Sequence, residues 1–132
     1  MLFRSDTNVL IRFLVADDVT QFKRAQKLIR RESSNGEPVF ISLLVLLEAE
    51  WVLRSRYKLE KSEVSAALSG LLESNELRIE DEPSVEEALY LWNDSNAEFA
   101  DCMIGARHRA LACRATATFD AKALRLTGFI AA

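Results

Sequence analysis

The chain has 132 residues, 49% of them hydrophobic and 28% charged, with a formal net charge of −3. That length suits one globular domain, residues 1–132, which can bury a core without disulfides or a structural metal. The acidic balance excludes a module that grips nucleic acid by charge alone, because such affinity comes from neutralising phosphates; an enzyme that brings a cation to the phosphate stays open.

No apolar run reaches the roughly 20 residues needed to span a bilayer. The start, MLFRSDTNVLIRFLVADD, is interrupted by Arg4, Asp6 and Arg12, so it does not read as a signal peptide, and the expected compartment is the cytoplasm. If 102–113 is one helix, Cys102 and Cys113 sit about 16 Å apart by the helix rise, beyond the roughly 7 Å a disulfide spans. Both are expected as small buried hydrophobes in a reducing environment. With one histidine and no CxxC motif, thiolate zinc ligation has no support.

In chain order, residues 1–5 form a short apolar strand ending at Asp6. VLIRFLVA, running to Ala16, predicts a mostly buried helix broken by Asp17-Asp18. The stretch 20–33 puts Phe22, Ala25, Leu28 and Ile29 on one helical face and five basic residues on the other. Residues 34–38, SNGEP, signal a turn. Val39 to Ser42 reads as a strand, 43–57 and 60–75 as helices, and 77–79 as a third strand. A helix over 84–94 follows Pro83, with Ser84 as its N-cap. Residues 98–112 form a further helix, 115–119 a strand stopped at Asp120, the segment from 121 a short helix, and Phe129-Ile130 an edge strand. Short strands with helical crossovers predict a three-layer α/β/α fold around a central, mostly parallel sheet of four to five strands.

Asp6 and Asp120 each follow a strand, and in open α/β sheets ligands bind at the carboxyl ends of strands. Asp101 lies in the first turn of its helix, and Glu48 interrupts the apolar run VFISLLVLLEAEWVL, where burial without a partner is costly. In that run Glu50 is expected to be the solvent-facing acid. Each acid also has a local role available: Asp6 and Asp120 as N-caps, Asp101 as a first-turn acid favoured by the helix dipole. Four converging carboxylates would repel one another unless a cation joins them, and an all-oxygen donor set suits Mg²⁺ or Mn²⁺. His108, between Arg107 and Arg109, reads as a surface histidine, so metal-activated water is preferred to histidine chemistry.

Four blocks in order, DTNVLIRFL at 6–14, LLVLLEAEWVLRSRY at 43–57, EFADCMIGA at 98–106 and TATFDAKAL at 116–124, resemble the PIN-domain ribonucleases, most closely the VapC toxins of bacterial toxin–antitoxin pairs. The resemblance implies an α/β PIN-like fold and metal-binding acids at Asp6, Glu48, Asp101 and Asp120. It also implies supporting roles for Asn8 and Thr118, an RNA substrate, an antitoxin partner and a homodimer. Glu98 stands where many relatives carry aspartate. On this reading Asp6, Asp101 and Asp120 hold the cation, Glu48 orients the attacking water, and cleavage leaves a 5′-phosphate and a 3′-hydroxyl.

Two basic groups are available to RNA: the 20–31 face (Lys23, Arg24, Lys27, Arg30 and Arg31), and the better-placed Arg54, Arg56 and Lys58. A rival reading is a non-catalytic interaction domain whose acidic cleft grips a basic side chain of a partner. A phosphatase of the haloacid-dehalogenase type is disfavoured, because DTNVL lacks the DxDxT pattern.

Overall fold

The computed structural model describes residues 5–34 and 36–132. The chain packs into two compact units, residues 1–80 and 81–132. Together the described residues hold six α-helices and four three-residue strands, an α/β composition.

In the first unit, α1 (Thr7–Leu14) and α2 (Val19–Ser33) precede β1 (Val39–Ile41), α3 (Leu43–Ser55), α4 (Lys61–Glu73) and β2 (Leu77–Ile79). Each helix opens on a side chain that suits its sequence position. Asp6, Asp18 and Ser42 accept N–H bonds from the first turns of α1, α2 and α3, and Glu60 with Glu63 forms a capping box on α4. β1 and β2 pair in parallel, Val39 against Leu77 and Ile41 against Ile79, with all four side chains buried. The α3–α4 segment is the crossover that parallel pairing requires. The expected strand 1–5 lies outside the described residues except for Ser5, whose N–H donates to the Phe40 carbonyl at 3.2 Å.

The second unit contains α5 (Glu82–Asn93), α6 (Phe99–Ala110), β3 (Thr116–Thr118), a 3₁₀ helix (Ala123–Arg125) and β4 (Phe129–Ala131). Its core lies where α5 meets α6: Trp92 and Phe99 stack edge to face at 5.2 Å, and Cys102 is fully buried. β3 and β4 also pair in parallel, Thr116 against Phe129 and Thr118 against Ala131. The ordering of strands and helices follows the sequence closely. The single sheet expected from it is, among the described residues, two parallel pairs, one within each unit. Periodicity identifies strands and leaves their partners undetermined.

Three local expectations are corrected. The N-cap of α5 is Asp81, with Pro83 in the first turn and Ser84 buried behind it. Asp81 adopts a left-handed φ of 54°, accepts from Ser84 N–H and pairs with Arg107 at 3.0 Å. Those bonds, the Ser84 hydrogen bond foremost, hold its carboxyl below the ordinary range. Cys113 is exposed: α6 stops at Ala110 and Ala112 turns left-handed at φ 60°, which carries the chain off the helix before that thiol. Half-buried His108 is bonded, Nδ1 to Thr116 Oγ1 at 2.8 Å.

Candidate active site

In the first unit Asp6 is the N-cap of α1. Its Oδ1 accepts from Val9 N–H at 3.0 Å, and Oδ2 takes no hydrogen bond from the described residues. The side chain is exposed, as is that of Asn8, the second residue of the helix. The local role available to Asp6 is therefore real, and it engages one oxygen only.

The α3 acids reverse the sequence expectation. Glu48 is exposed, while Glu50 is only 3% exposed. Glu50 can be buried because Arg54, one turn further on, pairs with it through the guanidinium. Glu48 shares the outer face of α3 with Leu44 and Trp51, which are also exposed. The pairing takes up Arg54, a cation expected to meet RNA; Arg56 and Lys58, just past the helix, are exposed.

In the second unit Asp101 stands in the first turn of α6 and is half-buried. Burial raises its pKa above the ordinary value, and the charges of Asp120 and Glu98 push in the same direction. The structure thus brings Asp120 and Glu98 each within electrostatic reach of Asp101. Asp120 caps the 3₁₀ turn: Oδ1 accepts from Lys122 N–H at 2.7 Å and Ala123 N–H at 3.1 Å. Thr118 braces the same turn, its Oγ1 accepting the Asp120 N–H at 3.0 Å.

The donor chemistry fits a hard divalent cation. Every candidate ligand is a carboxylate oxygen, and the burial and neighbouring negative charge that raise the Asp101 pKa are conditions a bound cation offsets. Among the described residues, neither unit by itself gathers three His, Cys, Asp or Glu side chains in a metal-holding cluster. Arg12, which in the sequence only interrupts an apolar run, has a defined place in the fold. Its Nη1 donates to the Tyr57 hydroxyl at 2.6 Å and pairs with Asp17 at 3.4 Å. The i, i+4 spacing from Asn8 to Arg12 was the signal that both belong to one face of α1.

With strand-end and helix-start acids in place on an α/β scaffold, the class follows from comparison with known proteins. The chain belongs to the PIN-domain family, whose model matches residues 5–129. Among characterised proteins it is similar to the VapC ribonuclease of Aquifex aeolicus (strain VF5), at 22% identity over 121 residues, which is 92% of this chain and 89% of that protein. Among solved structures it is similar to Mycobacterium tuberculosis VapC20, described as a sarcin–ricin-loop-cleaving toxin. There the identity is 20% and the TM-score 0.41, covering 90% of this chain and 88% of that one.

Proposed function

We propose that this protein is a divalent-metal-dependent endoribonuclease of the VapC toxin type, a single PIN domain restrained by a cognate antitoxin and working as a homodimer in the cytoplasm. The observation that carries the reading is the family match over residues 5–129, within which all four expected acids are present: Asp6, Glu48, Asp101 and Asp120. The similarity to a VapC ribonuclease over nine-tenths of the chain supports RNA as substrate.

Asp6, Asp101 and Asp120 would hold Mg²⁺ or Mn²⁺. When bound, the cation supplies a Lewis acid at the scissile phosphate and lowers the pKa of a water molecule. The protein supplies position. Backbone N–H groups of the first turns fix Asp6 and Asp120 through Oδ1, and Thr118 holds the Asp120 turn. Glu48, exposed on a rigid helix, orients the attacking water by accepting its proton in a hydrogen bond. In-line attack then leaves a 5′-phosphate and a 3′-hydroxyl. Asn8 supports Asp6 from the same helical turn, and exposed Arg56 and Lys58 meet the RNA backbone.

Asp6→Asn tests this cleanly, because asparagine caps a helix as well as aspartate does. The purified variant should lose Mg²⁺-dependent RNA cleavage by about a thousandfold or more, the several kcal/mol a Lewis-acid site provides, and should unfold at an unchanged temperature. Cleavage at the parental rate by the folded variant would remove Asp6 from the site.

A further inference from the structure

α1 and α2 pack together and leave a groove of about 710 Å³ on the first unit. Four cations line it, Arg12, Arg24, Lys27 and Arg31, with the amides of Asn8 and Gln21. Arg24, Lys27 and Arg31 fall at i, i+3 and i+7, a stripe about 10 Å long on α2. Arg24 and Lys27 make no hydrogen bond or ion pair with any described residue, and Arg31 meets only its neighbour Glu32, at 3.5 Å. Arg12 is held in place by Tyr57 and Asp17. Helix α2 carries five Lys or Arg against one Glu, in a chain whose net charge is −3.

We propose that this groove is a track for the phosphate backbone of single-stranded RNA, leading the strand to Asp6. Two observations choose a polyanion over a docking protein segment. The apolar lining residues Val9, Ala25 and Leu28 are buried or half-buried, and every large exposed apolar side chain among the described residues lies elsewhere. A protein helix would find little to desolvate there, whereas phosphates would find four cations. The groove also runs to the start of α1: Asn8 and Val9 line it, and the Val9 N–H is the one that Asp6 caps. Backbone contacts of this kind position a strand and leave base choice to other residues. The inference rests on the ribonuclease reading for its substrate class, and binding measured without metal separates the two.

The test is fluorescence anisotropy of a short labelled single-stranded RNA with the full chain, in EDTA, over a range of KCl concentrations. Arg24→Glu with Lys27→Glu alters the groove; Lys23→Glu with Arg30→Glu makes the same charge change on exposed α2 positions outside its lining. The groove pair should weaken binding about tenfold and lower the log–log salt slope by about 1.4, some 0.7 for each lost phosphate contact. The control pair should cost less than about threefold, since its side chains flank the lining and make no direct phosphate contact. Equal losses from the two pairs, or parental binding and slope in the groove pair, would overturn the track. So would unchanged RNA binding combined with loss of polyglutamate binding, which assigns the groove to an acidic protein segment. If the groove pair fails to fold, Lys27→Gln is read in its place, with a slope change of about 0.7 expected. RNA bound through the groove but not cleaved with Mg²⁺ would retire the nuclease reading and leave the track standing.

Discussion

The two units divide the chain's charge unevenly. Residues 1–80 contain twelve Lys and Arg and twelve Asp and Glu, whereas residues 81–132 contain five and eight, so the whole deficit lies in the second unit. The first unit balances its charge and sorts it. Glu50 is buried against Arg54, while the cations of α2 stay exposed along the groove. The second unit pairs some acids, Asp81 with Arg107 and Glu87 with Arg109, and leaves Asp101 half-buried, its pKa raised by that burial and by the charges of Asp120 and Glu98. A paired acid stabilises the fold, whereas an acid held beside other negative charge favours binding of a proton or a cation. Total charge hides that distinction; the local partner of each acid reveals it.

Breaking the Glu50–Arg54 pair has the largest expected effect on stability. Arg54→Met should destabilise the protein by about 3 kcal/mol, the cost of leaving a buried carboxylate without its cation, measured by urea denaturation. Glu48→Gln, two residues before Glu50 on the exposed face, should leave the denaturation midpoint within about 0.5 kcal/mol of the parent while RNA cleavage falls. If the two variants exchange these outcomes, the roles assigned to the pair of glutamates are reversed.

A second variant disturbs the acidic unit without touching an acid. A Cβ at Gly105 would come within 2.6 Å of the Phe129 ring, so Gly105→Ala makes that ring shift from its place against α6. It should cost about 1–3 kcal/mol, as overpacking does, with circular dichroism melting as the readout. Asp101→Asn sharpens the comparison in the other direction. A raised native pKa means the folded state holds the proton more tightly. Stability attached to Asp101 is therefore greatest below the ordinary value of 3.8 and declines as pH rises through the raised one. The asparagine variant should melt higher than the parent at neutral pH, the gain fading in acid, while nuclease activity is lost. Asp81 has the opposite sign: its stabilisation is present above 3.8 and lost as pH falls through its lowered native value. The smallest expected effect is Ala112→Gly, which relieves a left-handed alanine and should stabilise by about 0.5–1 kcal/mol.

Much of the fold was legible because local rules agreed. Asp18, Ser42 and the Glu60–Glu63 box mark helix starts where the apolar period begins, and strand 77–79 appears at its expected bounds. The differences between expectation and structure share a cause: apolar periodicity does not specify which side chain satisfies which. Glu48 drew attention because it interrupts an apolar run, yet Arg54 stands four residues after Glu50, and that spacing identifies the acid that can be buried. Ser84 looked like a cap because it follows Pro83, but proline sits comfortably within a first turn, which moves the cap to Asp81. Cys113 falls outside α6, which stops at Ala110 before the left-handed Ala112. Strand pairing depends on the long-range packing of three-residue segments, which carries almost no local signal. Of the candidate acids, Asp101 and Asp120 lie within electrostatic reach in the second unit, and the exposed position of Glu48 emerges only from α3.

The capping geometry at Asp6 and Asp120 has a genetic consequence. Both carboxylates serve their turns through Oδ1, a duty that an asparagine carbonyl performs equally well. Aspartate and asparagine codons differ by one G-to-A transition at the first base. A lineage burdened by the activity proposed for this chain is therefore a single nucleotide from a folded, silent version of it, and a single nucleotide from its return.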